Sequence, residues 1–544
     1  KAILLLSSLK DSEAKATTNI PKELLEKEKQ VKIELNYLDK SIATQEVKGD
    51  KKDEELLSKF QSQHFDYKQE YDQLIEQFEA DYPEYFRLKY SVETASVEEV
   101  QSYLNSIHSP RFKSWATNGE HDNSAIKQYS HSALISYHIA EESIYIFIIT
   151  ANTYQIHTLE KPSNFSQLIS DFQDAIAFTD IDEYMDSASV LFDLLLYPVL
   201  ETLETATKLI IIPHDSLTTI SFDALIDTRK LNAESRAKIS ADCDFSALPY
   251  LVKDYDISYH YSATMLLHSI ARQEQKPPKA ASFVGFAPVN FDGSENVELA
   301  LASNRGQTKV MRSNRAGERA LSKLPNTENE VKEVFQLFEE KELDAQAFLY
   351  ASANKENLFE NAVNHKYVLI ATHGYVQDGN TGLSGIYLAR EQESGDRSEE
   401  SENKESETYN SESDSYTSTR TQLSTQTPEH PNTNYLLHTS EAYHLQLDAE
   451  LVVLSSCSSG VGKLVTGEGM MAINRGFLYA GASNIIFTHF DIPDESSGEL
   501  VKTLFGHILE GEDYASALRK AKLALIEQSL KTPEDWAGYA LIGG

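Results

Sequence analysis

The chain has 544 residues, a length that indicates about three domains. Its 84 acidic and 49 basic side chains give a formal net charge of −35, which disfavours direct binding to nucleic acid. The sequence has no apolar run of about 18 residues, so we expect no transmembrane helix and no membrane partner. Cys243 and Cys457, the only cysteines, are too few for a disulfide framework or a zinc site, so we expect a reducing cytoplasm and no metal.

Residues 1–90 show the pattern of helices that pack against each other. Apolar and aromatic side chains recur in two stretches, mostly at steps of three and four, on either side of a polar turn at Gly49 and Asp50. These positions are Leu24, Val31, Leu35, Leu38 and Ile42, then Leu57, Phe60, His64, Tyr67, Tyr71, Leu74 and Phe78. The pattern predicts an antiparallel coiled-coil hairpin. Because the chain opens with Lys1 rather than Met, we also expect a fragment or processed product, downstream of a helical-repeat array.

Residues 91–274 change to a mixed pattern of strands and helices, which predicts an α/β domain. Two β-rich runs, at 133–140 and 143–150, flank an acidic pair and predict a hairpin. The other predicted elements are helices at 166–178 and 185–206, strands at 209–213 and 255–261, and a turn with a short helix at 213–225.

Residues 275–544 predict a second α/β domain. Short buried runs alternate with amphipathic stretches, which is typical of a mostly parallel sheet covered by helices on both faces. Thr327, with Glu330 three residues later, predicts a capping box at the start of a helix. The predicted strands lie at 282–288, 345–350, 367–372, 451–455, 484–488 and 539–542. The predicted helices lie at 327–340, from Ser352 or Asn354 to about 363, and at 468–480, 497–509 and 513–529.

Residues 391–430 interrupt this domain with a different composition. They hold 15 Ser or Thr, 11 Asp or Glu and a single large aliphatic residue, Leu423. Such a segment buries too little apolar surface to offset the entropy of ordering it, so we predict a disordered insertion. It is interpreted either as an inert solubilising loop or as a gate or cleavable loop over the active site.

Two strand ends in this domain carry reactive residues. His373 and Gly374 follow the strand at 367–372, and Cys457 follows the strand at 451–455. Ligands of α/β sheets bind at the carboxyl ends of strands, and an imidazole beside a thiol can remove its proton. The amides of Gly374 and Cys457 would then form an oxyanion hole. His373 and Cys457 are 84 residues apart, or about 44 without the insertion, near the spacing of about 50 in caspase-type enzymes.

These residues and several further segments resemble the CHAT family, caspase-like cysteine peptidases of the same clan as caspases and separases. The resemblance covers about residues 100–544, and two sites depart from the family pattern: Ser221 replaces a usual proline, and 488–494 replaces S-L-W-x-V-x-D. Five segments match a family pattern: 213–225 matches a segment that ends in P-F-x-A-L, 324–331 matches L-P-x-T-x-x-E-V, 371–374 matches A-T-H-G, 383–385 matches L-S-G, and 454–462 matches L-S-A-C-x-T-G-x-G with serine at two positions. Residues 467–469, 477–482 and 536–537 also match the family.

The resemblance implies the fold and the surroundings of the site. It implies a catalytic caspase-like domain at 275–544, a non-catalytic, pseudo-caspase-like half at 91–274, and a hairpin of the kind that connects tetratricopeptide repeats to CHAT domains. It also implies that Asp491, Asp494 and Glu495 lie beside the substrate's P1 pocket, where they would pair with a basic side chain. Capping of the next helix is the alternative for these acids. His489 is interpreted as either a cleft residue or a structural one.

The expected function is that of a cysteine endopeptidase that cleaves a specific protein through a thioester acyl-enzyme. The resemblance implies a bacterial effector in defence or cell death, switched on by a protein partner or by upstream repeats. No cofactor is expected, because no G-x-G-x-x-G follows a strand and no P-loop is present. Two alternatives stay open: a non-catalytic interaction scaffold, and another acyl-transfer enzyme with the same dyad, such as a transpeptidase or thioesterase.

Overall fold

The computed structural model divides the chain into two compact units, Ile3–Thr94 and a second unit that contains Ala95–Gly544. The described residues are 21–46, 53–82, 94–106, 131–234, 239, 244–290, 323–375, 384–389, 408–410, 435–456, 463–465, 469–471, 473–528 and 531–544. No helix in these ranges combines the length and apolarity that crossing a bilayer requires.

The first unit contains two long helices, α1 (Lys22–Glu46) and α2 (Glu54–Asp81). Val31 on α1 packs with Leu74 and Phe78 near the end of α2, so the helices run antiparallel. The Asp53 carboxylate caps α2 by accepting a hydrogen bond from the Leu56 amide at 3.0 Å. The buried apolar positions belong to the stripe that the sequence predicts, and Glu28 is a buried polar residue outside it.

The second unit is an α/β structure with the following elements. Its strands are β1 (His131–Ile139), β2 (Ser143–Thr150), β3 (Tyr154–Glu160), β4 (Ala206–Ile212), β5 (Asp256–Tyr259), β6 (Ser282–Ala287), β7 (Asp344–Leu349), β8 (Tyr367–Thr372), β9 (Gly374–Tyr375), β10 (Gly385–Tyr387), β11 (Thr408–Asn410), β12 (Leu436–His438), β13 (Leu451–Ser456), β14 (Lys463–Val465), β15 (Gly469–Met471), β16 (Asn484–Thr488) and β17 (Tyr539–Ile542). Its helices are α3 (Val97–Ser106), α4 (Phe165–Phe178), α5 (Ile181–Leu195), α6 (Leu200–Leu203), α7 (Ala263–Gln275), α8 (Pro325–Glu339), α9 (Lys355–Asn361), α10 (Thr439–Ala442), α11 (Ile473–Ala480), α12 (Asp494–Leu509), α13 (Tyr514–Ile526) and α14 (Pro533–Trp536).

One large sheet organises this unit. Among the described residues it has twelve strands in the order β11-β7-β6-β8-β13-β16-β17-β5-β4-β1-β2-β3. The central pairs are parallel, whereas β16 with β17 and the pairs at both edges are antiparallel. The expected mostly parallel sheet flanked by helices is therefore confirmed.

The core forms where amphipathic helices lie on the sheet. α8 turns Val331, Val334 and Phe338 inward, and the Phe338 ring stacks on Phe283 of β6 at 5.2 Å between ring centroids. Gly285 of β6 makes this close approach possible, because a Cβ there would meet the Val331 side chain at 2.6 Å. α8 and β6 therefore pack closely together in the half of the sheet that carries His373.

The regions 91–274 and 275–544 contribute to the same sheet. β17, the last strand of the chain, pairs antiparallel with β16 and parallel with β5. The Lys522 ammonium on α13 also forms a buried ion pair with Asp223, at 2.6 Å from Oδ1. The division into a non-catalytic and a catalytic domain stays a prediction.

Some elements differ from the prediction for identifiable reasons. The capping box is wrong, since Pro325 opens α8 and Thr327 lies inside the helix with its hydroxyl on the Leu324 carbonyl. The helix predicted at 185–206 ends at Leu195, three residues before Pro198.

The insertion predicted at 391–430 is described over three residues alone. Thr408–Asn410 forms β11, which pairs antiparallel with β7 at one edge of the sheet. The rest of 391–430 lies outside the described residues. A disordered insertion, with either interpretation of its role, therefore stays a prediction.

Candidate active site

The two strands that lead to the predicted reactive residues lie side by side in the sheet. β8 and β13 run parallel, and their register sets Ser456 opposite Thr372. Every residue of both strands is buried. His373 follows Thr372 directly, whereas Cys457 follows Ser456 in the sequence and lies outside the described residues. The strands that precede the two predicted residues are therefore adjacent and in register.

His373 lies at the junction between β8 and β9. It is 3% exposed, and its carbonyl oxygen accepts a hydrogen bond from the Tyr387 amide at 3.0 Å. The Thr372 hydroxyl donates to the Tyr387 carbonyl, and Gly374 is paired with Ile386 in the antiparallel ladder of β9 and β10. The backbone on both sides of His373 is therefore tied to β10, which restricts movement of the residue.

A hydrogen bond from the neighbouring strand holds the end of β13. The Thr488 hydroxyl, at the end of β16, donates to the Ser456 carbonyl at 2.6 Å. The Ser456 hydroxyl is itself buried and has no hydrogen-bond partner in the described part of the chain. Buried hydroxyls are usually paired, so a partner for the Ser456 hydroxyl is expected in the small cavity that Ser456 lines.

That cavity lies at the carboxyl ends of β8, β13 and β16. It measures about 20 Å³, room for one water molecule. Its walls include Thr372, Ser455, Ser456, Thr488, Asp494 and Tyr539. A space of this size and polarity suits one water molecule.

A buried carboxyl group lies behind the cavity. The hydroxyls of Ser455, Ser497 and Tyr539 contact one another at 2.8–3.0 Å, and Ser497 lies 3.0 Å from Glu330 Oε2. Burial raises the pKa of Glu330 to about 8, and the Asp494 charge adds to the rise, while the Ser455 and Ser497 hydroxyls oppose it. Glu330 is therefore mainly protonated at neutral pH.

The three acidic residues predicted beside a P1 pocket have different surroundings. Asp494 lies in the first turn of α12, and its Oδ2 accepts a hydrogen bond from the Asn326 amide at the start of α8, at 3.1 Å. A carboxylate there favours the N-termini of both helices. Asp491 is partly exposed and Glu495 is exposed. This geometry favours the helix interpretation for Asp494.

His489 has a structural environment. Its ring packs against Tyr259 and Phe487, with centroid distances of 5.8 and 5.1 Å, and its Nε2 is buried. Burial, together with the Lys522 charge, lowers the pKa of His489 to about 3. The imidazole is therefore neutral at physiological pH and belongs to the packing between β16 and β5.

Comparison with known protein families matches residues 185–544 to the CHAT domain. The chain belongs to the CHAT domain family. The match covers both β8 with His373 and the region that follows β13, so the resemblance drawn from the sequence motifs is confirmed.

Curated relatives of this CHAT chain share a shorter segment. The mouse and human proteins named tetratricopeptide repeat protein 28 are each 32% identical over 114 residues, which is 21% of this chain. The chain spans about one twentieth of the length of either relative, since the match covers 5% of each.

Solved structures similar to the CHAT chain have low sequence identity. The separase–securin complex of Saccharomyces cerevisiae is 12% identical, with 95% of this chain and 27% of that chain covered and a TM-score of 0.34. The Arg-specific cysteine proteinase gingipain R is 8% identical, with coverages of 68% and 69% and a TM-score of 0.34. The complex of Porphyromonas gingivalis RgpB pro- and mature domains is 8% identical, with 70% of this chain and 77% of that chain covered and a TM-score of 0.33.

The buried polar cluster of the CHAT domain has no counterpart among the sequence predictions. The Thr-x-x-Glu pattern predicts a helix-capping role for Glu330, and no role is predicted for Ser497 or Tyr539. One signal was present: Glu330 falls on the same face of α8 as Val331 and Val334, the face that is buried. A carboxyl group at such a position is expected in the core, with polar partners.

Proposed function

We propose that this CHAT chain is a cysteine endopeptidase in which His373 is the general base and Cys457 the nucleophile. The observation that carries the proposal is the register of β8 and β13, whose last residues, Thr372 and Ser456, lie opposite each other. Parallel strands that end together bring the residues after them to one edge of the sheet, where α/β proteins bind ligands. Membership of the CHAT family supports the same pair.

The reaction would proceed through a thioester. His373 removes the proton from the Cys457 thiol, and the sulfur attacks the scissile carbonyl carbon. The amides of Gly374 and Cys457 stabilise the resulting oxyanion. As the C–N bond breaks, His373 returns the proton to the leaving amine. Water then hydrolyses the thioester, with His373 again as the base, and releases the new carboxyl terminus and the free thiol.

We propose a protein substrate with a basic P1 side chain that pairs with Asp491, Asp494 or Glu495. Glu495 is the strongest candidate because it is exposed, whereas the Asp494 carboxylate is engaged by the Asn326 amide. The many acidic residues of the chain, which give the net charge of −35, also favour a basic substrate segment over nucleic acid.

Activation by a protein partner or by tetratricopeptide repeats upstream of this chain is part of the proposal. The names of the mouse and human relatives support a link with such repeats, and so does the α1–α2 hairpin, a packing arm of the kind that connects repeats to a domain. A role as a bacterial effector in defence or cell death rests on the family resemblance alone.

Covalent labelling tests the dyad directly. The chain is incubated with peptidyl acyloxymethyl ketones that differ at P1, and the adduct is located by mass spectrometry. We expect labelling of Cys457, strongest with Arg or Lys at P1, and a loss of rate of about 100-fold to 10,000-fold in His373→Ala. Cys243→Ala is the matched control and should label like the native chain.

Each other outcome has a defined meaning. Fast His373-dependent labelling with a different P1 residue would support the dyad and contradict the acidic P1 pocket. Equal labelling of Cys243 and Cys457, unaffected by His373→Ala in the presence of the upstream repeats and partner, contradicts the peptidase and favours a scaffold. Products with no new carboxyl terminus would indicate a different acyl transfer.

A further inference from the structure

The Glu330 carboxyl group has an environment that suits a neutral acid. Glu330 is 1% exposed. Its Oε2 contacts the Ser497 hydroxyl at 3.0 Å, and its Oε1 is buried with no hydrogen-bond partner among the described residues. No cation within those residues pairs with it. An ionised carboxylate in such a place would be strongly disfavoured, whereas a protonated one is tolerated.

A count of the hydrogen atoms among Glu330 and the three hydroxyls around it also favours a protonated carboxyl. The cluster contains four oxygen–oxygen contacts: Ser455 to Ser497 at 2.8 Å, Ser455 to Tyr539 at 3.0 Å, Ser497 to Tyr539 at 2.8 Å, and Ser497 to Glu330 at 3.0 Å. Each hydrogen bond needs one hydrogen, and the three hydroxyls bring three. With the Ser497 hydroxyl donating to Glu330 Oε2, two hydroxyl hydrogens remain for the other three contacts. A proton on Oε2 that donates to Ser497 instead restores one hydrogen for each of the four contacts.

The titratable groups around Glu330 favour the protonated form. Asp494 on α12 adds negative charge nearby, and Tyr539 on β17 faces the cluster through its hydroxyl. Three other titratable side chains on or against α8 have partners of their own: Glu328 contacts Lys332 and Tyr350, Glu333 contacts Lys502, and Tyr367 on β8 packs against Phe338.

We propose that Glu330, in its protonated form, is a positioning residue that holds the end of β13, the strand that precedes Cys457 in the sequence, in place for the reaction. This inference rests on the proposed function. Ser455 links the cluster to β13 and precedes Cys457 by two residues. Ionisation removes one hydrogen from the cluster and places a second negative charge near Asp494, so the hydroxyls must rearrange around the carboxylate and Ser455 loses its position.

The consequence is an alkaline limit on activity that does not arise from the dyad. One pH unit above a pKa, about a tenth of the group is still protonated. Since the pKa of Glu330 is raised to about 8, the fraction of chains with an ordered site falls about tenfold from pH 7 to pH 9. Titration of the Cys457 thiol acts in the opposite direction, because a thiolate becomes more abundant as pH rises.

Glu330→Gln tests the inference, because an amide resembles the protonated carboxyl in shape and cannot ionise. The kcat/KM of the best peptide substrate is measured from pH 6.5 to 9.5. We expect the variant to keep most activity at pH 7 and to lack the alkaline fall, so that its ratio to the native chain rises about tenfold by pH 9. Glu333→Gln, on the same helix and next to Lys502, is the matched control and should follow the native profile.

A second readout does not depend on activity. Infrared difference spectra should contain a band of a protonated carboxyl that titrates near pH 8 in the native chain and is absent in Glu330→Gln. If Glu330→Gln does not fold, Ser497→Ala breaks the link to Ser455 and keeps the carboxyl. That variant should lower kcat at pH 7 with little change in KM.

Failure of this inference is distinguishable from failure of the proposed function. A native chain that cleaves peptides and loses activity at alkaline pH just as Glu330→Gln does would overturn the role of Glu330 and leave the peptidase intact. If no peptide is cleaved, the alkylation rate of Cys457 by iodoacetamide replaces kcat/KM. A pH profile of alkylation that is identical in both chains would then also overturn the inference.

Discussion

Removal of Lys522 should strongly destabilise the α/β unit. The Lys522 side chain is 1% exposed and the Asp223 side chain 4% exposed, with Nζ 2.6 Å from Oδ1. Burial lowers the pKa of Lys522, and the Asp223 charge opposes the shift. The other oxygen of Asp223 accepts a hydrogen bond from the Tyr259 hydroxyl at 3.0 Å. Lys522→Met therefore leaves a buried carboxylate with one neutral donor.

The magnitude follows from that burial. Removal of one partner of a buried ion pair costs about 3–5 kcal/mol, because the remaining charge has no counterion and little water. Asp223→Asn should cost a similar amount, since it leaves Lys522 as an unpaired buried ammonium. The double variant has no buried charge, keeps an acceptor for Tyr259 and should cost about 1–3 kcal/mol. The two single costs are thus far from additive.

Hydrogen exchange followed by mass spectrometry is the suitable assay, because a large unit need not unfold in one step. A loss of 3 kcal/mol corresponds to exchange about 100-fold faster in the peptides that contain α13 and β5. Lys520→Met is the matched control: Lys520, on the same helix as Lys522, pairs with Glu512 just before that helix, and an exposed pair contributes about 0–1 kcal/mol. If Lys522→Met accelerates exchange no more than the control, or if the two single effects add up in the double variant, the reasoning is wrong.

Three further predictions concern single residues. Gly285→Ala should cost about 1–3 kcal/mol and lower the melting temperature, because its Cβ would lie 2.6 Å from Val331, whereas Gly506→Ala, with open space around it, should not. Asp494→Asn should lower stability by about 0.3–1 kcal/mol through weaker helix N-termini and leave P1 preference unchanged in the labelling assay; a loss of Arg preference would contradict this. His489 has a folded pKa of about 3 against 6.5 unfolded, so the unfolded state binds the extra proton and stability falls as pH drops below about 6.5. Thermal melts of His489→Phe should show a shallower acid dependence than the native chain, in which His260 also contributes, and an unchanged slope would count against it.

The central strands could be predicted from local sequence because they are buried on both faces. The predicted ranges 367–372, 484–488 and 539–542 coincide with β8, β16 and β17, each a short apolar run. β3 was not predicted, since its exposed Tyr154 and Ile156 give no core pattern and its pairing with β2 defines it as a strand. The position of β17 between β16 and β5 also depends on partners distant in sequence, so no local signal could reveal it.

Glu330 shows why the candidate site could be predicted only in part. The motif Thr-x-x-Glu is a local capping signal, but Pro325 opens the helix two residues before Thr327 and leaves Glu330 on the buried face. Its partners Ser455, Ser497 and Tyr539 belong to β13, α12 and β17 and meet it only in the folded sheet. The proposed pair of His373 and Cys457 follows from local sequence, because each member comes directly after an apolar strand in the chain. For Glu330 the one local signal is a carboxyl group on the apolar face of a helix. That signal predicts a buried polar residue only when the apolar face is given more weight than the capping motif.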